Sequence, residues 1–377
     1  MDKSTRVKQG EKIANKDEQV EKLNDRYYHV KSQTSDRIYD VVFTELGWLC
    51  SCPDNTFRAV HCKHIHAVQL IENRENPKQE VIIKQFSNKN CPACKSLNIV
   101  KHGIRHNKNY DLQRYSCRDC NKRFSFNLGF ERMKSNPKTI TSAMQLYFTG
   151  ESLRNVQKFL RLQGVEVSHK TIYFWVKKYT KLMESYFEKI VPKVSDVWRA
   201  DEIYTKIKGD MKYLFALIDD ETRFWIAQEV ADRKEGHDAS NLFQLGKRIT
   251  GIKPRILITD GLRGYQTAYN KAFWTNTKPR PIHIRNIAMS GERNNNKMER
   301  FNGEFRDREK IVRGLKKADS PLISGYQIYH NYVRPHMSLE GKTPAEKCGI
   351  EVQGKDKWQT LIQNASSYHK TPSNIGL

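Results

Sequence analysis

The chain has 377 residues, with 66 Lys and Arg against 42 Asp and Glu, a formal charge of +24 and a pI near 9.6. Its hydrophobic content of 38% is enough for packed cores and excludes a disordered chain, and its length predicts two to four folded units. No apolar run approaches the roughly 20 residues that span a bilayer, and the opening MDKSTRVKQGEK lacks the apolar core of a signal peptide. Membrane and secreted classes are set aside. A soluble, basic, intracellular protein with a polyanionic partner is expected, most simply nucleic acid. The charge is uneven along the chain. Residues 1–87 hold 14 basic against 13 acidic residues, residues 88–190 hold 20 against 7, and residues 191–377 hold 32 against 22. The middle segment is therefore the expected phosphate-binding face.

Residues 1–24 read as a charged tail, and seven of the eight cysteines follow in two groups. The first, within 25–80, is Cys50-Ser51-Cys52, nine residues, then Cys62-Lys63-His64. The second, within 88–130, is Cys91-Pro92-Ala93-Cys94, 22 residues, then Cys117-Arg118-Asp119-Cys120. Close pairs of thiols bring two ligands to one tetrahedral ion, and two such pairs close the site. Disulfides are disfavoured in a chain expected to be intracellular. The second group resembles a zinc ribbon, with a β-hairpin between its pairs. The first resembles a SWIM-type zinc module, whose C-x-C…C-x-H spacing selects His64 over the neighbouring His61 and His66. Two structural zinc ions are thus expected, and Cys348 stands apart as an ordinary thiol. The first module is nearly neutral, which makes a protein contact as plausible for it as DNA.

Residues 137–184 read as three helices. Pro137 opens the first, with Ile140, Met144, Tyr147 and Phe148 at helical spacing, and Gly150 ends it. Ser152 caps the second and Ser168 the third, in which Ile172, Trp175, Val176 and Tyr179 form an apolar stripe. His169, Lys170, Lys177 and Lys178 are left to face nucleic acid. Two short helices and a basic final helix form the helix-turn-helix order, and the pattern is similar to the helix-turn-helix of many bacterial and archaeal transposases.

After Pro192 the pattern turns to strands. VWRADEIYTKIKGDMKYLFALIDDETRFWIAQEV reads as three strands with turns at 208–210 and 219–221, followed by a helix over 238–249. The buried strand RILITDG, a further helix, the strand PIHIR and a helix from NNNKMERFNGEFRDREKIV complete a mixed sheet covered by helices. Three acids stand out by position: Asp201 on the first strand, Asp260 at the end of a buried strand, and Glu299 in the last helix. Phosphodiester chemistry with two cations needs carboxylates converging at one sheet edge. By strand alternation Glu202 points to the face opposite Asp201, and Asp219, Asp220 and Glu221 read as turn residues.

The strings around these acids, W-x-x-D-E-x-Y-x-K-I-K-G, T-D-G, N-N-x-x-E-R-x-N-x-x-F-R and Y-x-N-Y-V-R-P-H-x-S-L-x-G-K-T-P-A-E, resemble the DDE transposases of prokaryotic insertion sequences. The resemblance covers about residues 137–350. It implies a multi-domain chain in which an α/β ribonuclease-H-like core, a mixed five-stranded sheet with helices over 194–350, follows the zinc modules and the all-α helix-turn-helix. Residues 351–377 are left as a tail. It implies Asp201, Asp260 and Glu299 as the triad for two Mg²⁺ or Mn²⁺ ions, Arg300 and Arg306 as phosphate contacts, and Arg334-Pro335-His336 as structural or DNA-facing. The implied activity is cleavage and strand transfer at element ends, on double-stranded DNA, in a homodimer or higher oligomer, within the cytoplasm and nucleoid of a prokaryotic cell. P-loop and dinucleotide fingerprints are absent, and no covalent nucleophile motif occurs. The alternatives are a non-catalytic, zinc-dependent DNA-binding regulator derived from a transposase, and a ribonuclease-H-like nuclease without strand transfer.

Overall fold

The computed structural model describes all residues except 1–2, 17, 25, 45–46, 59, 76–79, 87–89, 233–235, 275–280, 286–295, 313–314, 316–319 and 371–377. It divides into a smaller unit, 1–79 with 275–281, and a larger one, 80–274 with 282–377.

The smaller unit runs α1 (Lys3–Ala14), β1 (Val20–Asn24), β2 (Tyr27–Lys31), β3 (Ile38–Thr44), β4 (Gly47–Cys50), α2 (Pro53–Arg58) and α3 (Lys63–Glu75). The strands form an antiparallel meander in chain order. Ile13, Tyr28, Val30, Val41, Ile65 and Val68 pack with Cys50, Cys52 and Cys62 into one small core. The segment expected as a charged tail is thus structured: α1 packs against α3 and buries Ile13, and Arg6 is paired with Asp54 at 2.7 Å. A core this small needs every apolar side chain its helices offer.

The larger unit opens with β5 (Val81–Ile83) and a three-stranded sheet of β6 (Ile99–His106), β7 (Asp111–Cys117) and β8 (Arg123–Phe124). Three helices follow: α4 (Pro137–Thr149), α5 (Leu153–Leu162) and α6 (His169–Phe187). Asn136, Ser152 and Ser168 cap them, each side chain accepting a backbone N–H three residues on. The predicted stripes are buried: Ile140, Met144 and Phe148 on α4, and Ile172, Val176 and Tyr179 on α6.

The main sheet holds β9 (Val197–Ile207), β10 (Asp210–Asp219), β11 (Trp225–Ala231), β12 (Ile256–Ile258) and β13 (Ile282–Ile284), in the order β11-β10-β9-β12-β13. The first three strands are antiparallel, while β12 runs parallel to β9 and β13 parallel to β12. This is the mixed five-stranded sheet expected from the sequence, and its order fits a ribonuclease-H-like core. Helices α7 (Gly236–Thr250) and α8 (Arg263–Phe273) cover one face. Gly246 lets α7 cross β10 closely, since a Cβ there would lie 2.4 Å from Leu217 Cδ2. The other face takes α9 (Asn296–Val312) and α10 (Pro321–Ile328), with Trp225 set against Phe301 at 4.7 Å and near Phe305 and Tyr326.

After a wide helical turn at Tyr329–Val333 come α11 (Pro344–Lys347), β14 (Ile350–Val352) and α12 (Lys357–Lys370). The tail expected over 351–377 is thereby corrected, since the chain is folded through Lys370. Trp358, Leu361, Ile362 and Ala365 of α12 are buried against α4 and α6, and β14 pairs in parallel with β5. Their spacing is that of one helical face, which gives α12 a core stripe to bury.

Candidate active site and nucleic-acid interface

The parallel register of β12 on β9 pairs Ile256 with Val197, Leu257 with Trp198 and Ile258 with Arg199. Two residues further along β9 stands Asp201, and Asp260 lies two residues past the end of β12. Side chains on a strand repeat with period two, so Asp201 belongs to the face that carries Arg199. That face is α9's: Asn302 Nδ2 donates to Asp201 Oδ2 at 2.9 Å, and Thr205 Oγ1 donates to Glu309 Oε1 at 2.9 Å. The helix therefore lies along β9, held at both ends of a two-turn span.

Glu202 belongs to the opposite face, where Tyr265 of α8 donates its hydroxyl to Glu202 Oε2 at 3.0 Å. Yet carboxylate oxygens of Asp201, Glu202 and Asp260 all lie within 4.8 Å of one another. Strand alternation alone therefore does not keep Glu202 away from the aspartates. The β12 ladder ends at Ile258, so on that side of β9 no ladder partner stands beside residues 201 and 202, which pair with Ala216 and Phe215 of β10 on the other. Asp201 also turns back to accept the Glu202 N–H at 2.9 Å.

Burial, then the neighbouring charges of Glu202 and Asp260, push Asp201 up to about 6, against the pull of its bonds from the Glu202 N–H and Asn302. Such a concentration of partly buried negative charge is costly alone and suits hard, oxygen-seeking cations such as Mg²⁺ or Mn²⁺.

Glu299 is exposed in the first turn of α9 and is not among the three clustered carboxylates. It precedes Asn302 by three residues and so shares the helix face that reaches Asp201. Of the two asparagines of the N-N-x-x-E string, Asn295 lies outside the described residues and Asn296 opens α9. Arg300 and Arg306 are both exposed.

Around this centre the polar groups are locked. Asp220 is bonded by Arg199 and, at 2.8 Å, by Lys297, and these cations bring it below the usual carboxylate range although burial alone would raise it. Asp219 is no exposed turn residue. It closes β10 fully buried, accepting from Ser195 N, Ser195 Oγ, Thr222 N and Thr222 Oγ1. Arg334 pairs with Glu304 of α9. His336 is buried with its ring 4.6 Å from that of His330, which fits a structural part for the R-P-H string. Cys348, also buried, donates to Thr222 Oγ1 at 3.2 Å.

Both cysteine groups converge. In the smaller unit, ligand atoms of Cys50, Cys52, Cys62 and His64 lie within 4.8 Å of one another, with His64 Nδ1 at 3.7 Å from Cys50 Sγ and 3.8 Å from Cys62 Sγ. Tyr39 stacks on the His64 ring at 4.7 Å and fixes its plane. In the larger unit Cys91, Cys94, Cys117 and Cys120 converge likewise, with Sγ separations of 3.6 Å (Cys91 to Cys120) and 3.5 Å (Cys94 to Cys117). A disulfide needs about 2.05 Å. A tetrahedral zinc with bonds of about 2.3 Å has sulfur–sulfur edges of about 3.8 Å, so the donors and their spacing fit that ion.

On α6, Lys170 and Lys177 are exposed, His169 is half-buried, and Lys178 is drawn in, its Nζ 5.1 Å from the Tyr179 ring centre. Between the two exposed lysines stand Tyr173 and Phe174, both exposed, which sequence reasoning misses. Their offsets of three and four residues from each lysine are the signal that finds them: a basic stripe interleaved with aromatics.

A family model described as a DDE domain matches residues 195–336. Two transposases of Staphylococcus aureus, those of insertion sequence-like element IS431mec and of insertion sequence element IS257 in transposon Tn4003, are each 27% identical to this chain over 227 residues, spanning 59% of it and 97% of the relative. Among solved structures, the HTLV-2 integrase catalytic core domain in complex with magnesium (dimeric form) aligns with 42% of this chain and 97% of its own, at 14% identity and a TM-score of 0.31.

Proposed function

We propose that this chain, an insertion-sequence transposase with a DDE catalytic domain, cuts and joins DNA at the carboxylates gathered on the edge of its mixed sheet. The observation that supports this reading is the convergence of carboxylates, with oxygens of Asp201, Glu202 and Asp260 within 4.8 Å of one another and Asp201 bonded by Asn302 of α9. Glu299 completes the triad from α9, one turn before the Asn302 amide that bonds Asp201. Two divalent cations, Mg²⁺ or Mn²⁺, supply activation of the attacking oxygen and neutralisation of the leaving one when bound there. The protein's share is placement. Asn302 orients Asp201, Tyr265 holds Glu202, and the Arg199–Asp220–Lys297 cluster fixes the start of α9 against β9. Hydrolysis frees a 3′-hydroxyl and transfer uses it on target DNA. Both are in-line displacements at phosphorus, so one site serves both.

Zinc held by Cys50, Cys52, Cys62 and His64 and by Cys91, Cys94, Cys117 and Cys120 stabilises two modules too small to stand on apolar packing alone. Helices α4 to α6 act as the helix-turn-helix, with His169 and Lys170 at the groove-entering end of α6 and Lys177 on backbone phosphate. Lys178 sits at the margin of that surface. The active form is a homodimer or larger, since two element ends must be held together, and it works in the cytoplasm on the nucleoid. The test is cleavage and joining of duplexes taken from the flanks of the coding sequence, in Mg²⁺ and in Mn²⁺. Products that carry a free 3′-hydroxyl at the element end, joined to new DNA only with the cation present, support the reading. Binding without any cleavage in either ion is the result expected of a regulator instead.

A further inference from the structure

Helix α6 turns one face to the core and another to solvent. Ile172, Trp175, Val176 and Tyr179 are buried, while Lys170, Tyr173, Phe174 and Lys177 are exposed, the two aromatic residues by 42% and 54%. Offsets of three and four residues set these four on one stripe, with a lysine at each end and the rings between. Isolated apolar side chains on a surface are ordinary. Here two adjacent rings stay out of a core that takes Trp175 and Tyr179 from the same helix, and they share their face with the charge.

The charge names the class of partner. Along α6 stand Lys170, Lys177, Lys178 and Lys181 against Glu184 alone, and no acid occupies its first turn. A lysine near a helix N-terminus works against the dipole of its own helix, and a polyanion lying across that end offsets the cost. A duplex meets the lysines with phosphate, which has nothing to offer two rings. The floor of the major groove does: beside its hydrogen-bonding edges it carries one apolar group, the C5-methyl of thymine. Phe174 has neither donor nor acceptor on its side chain, so that methyl is the feature it can read. Both rings lie little more than one turn from the Ser168 cap, in the part of a recognition helix that reaches base edges.

We propose that Tyr173 and Phe174 read thymine in the element end, seating their rings against C5-methyl groups in the major groove; this rests on the reading of α4 to α6 as a helix-turn-helix. Preference at those base pairs comes from apolar contact, while the lysines on either side of the rings supply affinity that is blind to sequence.

The experiment uses the full-length, zinc-replete protein without added Mg²⁺ and a duplex taken from the flank of the coding sequence. The duplex is made once with thymidine and once with deoxyuridine, so that the two differ only in methyl groups. The parent should bind the deoxyuridine form about fourfold more weakly for each methyl it contacts, the worth of one buried methyl. Single replacements should confine that loss to a few positions. Tyr173→Ala and Phe174→Ala should each lose part of the dependence, and the double variant all of it. Both side chains are exposed, so melting temperature and zinc content should stay parental. The salt slope of the double variant should also match the parent's, since no phosphate contact is removed. Lys177→Ala should bind both duplexes more weakly at an unaltered ratio. A parent that selects the flank duplex yet binds both forms equally overturns the thymine reading and leaves the transposase reading standing, as does a double variant that keeps the parental ratio. Thymine dependence that vanishes in the double variant, in a protein that never cuts or joins DNA, strikes the transposase reading and leaves this one standing. A parent that binds no duplex overturns both.

Discussion

Asp201→Asn should stabilise the metal-free protein at neutral pH while removing its response to metal. In the folded chain the Asp201 carboxyl is raised from an ordinary 3.8 to about 6 by burial and by Glu202 and Asp260. A raised carboxylate costs stability above the folded value, because the unfolded chain releases the same proton more readily. Linkage puts the cost at about 3 kcal/mol at pH 7.5 and about 1 kcal/mol at pH 4.5. Asparagine keeps the shape without the charge, but it weakens the bonds from Asn302 Nδ2 and the Glu202 N–H, each worth about 1 kcal/mol at most. The net gain at pH 7.5 is therefore about 1–2 kcal/mol, or about 2–5 °C in the melting of the larger unit. It should vanish or reverse at pH 4.5. Mn²⁺ at a hundred times its dissociation constant should raise the parent by about 2.7 kcal/mol and the variant by close to nothing. Scanning calorimetry at both pH values measures this, in metal-depleted buffer free of EDTA, which would also strip zinc. A variant that melts with the parent at pH 7.5, or that keeps the full Mn²⁺ shift, refutes the electrostatic account of this cluster.

Elemental analysis of freshly purified, reduced protein should find about two zinc ions per chain. Cys117→Ser should lower that count by one and Cys348→Ser should leave it unchanged; protein without zinc contradicts both cysteine sites. Lys170→Ala and Lys177→Ala should each weaken binding to element-end duplex in gel-shift titrations at moderate salt, while Lys178→Ala, whose ammonium lies against Tyr179, should do less; equal losses at all three positions contradict the orientation of α6. His330 and His283 are held to about 3 and about 4 by burial first, with neighbouring positive charges adding. Their folded values lie below the unfolded one, so the unfolded chain binds protons first and stability falls as pH drops below about 6.5. Urea denaturation followed from pH 7 to pH 4 should show that loss, and His283→Gln should reduce it.

Much of this architecture is legible in the sequence because its signals are local. Cysteine pairs report a ligand set through their own spacing, and Ser152 and Ser168 announce helix starts through chemistry completed within three residues. The period-two pattern of β9 and β10 also carries the position of Asp201. What escapes is decided by remote parts of the chain. Glu202 approaches the aspartates because β12 ends at Ile258, a boundary no property of residue 202 encodes. Lys178 looks as available as Lys177 until Tyr179 is placed beneath it. The acids at 219–221 read as a solvated turn, whereas Ser195 and Thr222 bury the first and Arg199 and Lys297 neutralise the second. The stripe of Trp358, Leu361, Ile362 and Ala365 does show in the sequence, but the surface it meets on α4 and α6 does not.

The most direct test of the central claim, that the carboxylates at the end of β9 and β12 hold the catalytic cations, is a change of ligand softness at one of them. Asp260→Cys replaces a hard oxygen with a thiolate, which Mg²⁺ avoids and Mn²⁺ accepts more readily. Strand transfer of an element-end duplex should then be lost in Mg²⁺ and partly restored in Mn²⁺, while Asp260→Ala stays inactive in both. Near-parental joining by either variant in Mg²⁺ would contradict the assignment of Asp260 as a metal ligand.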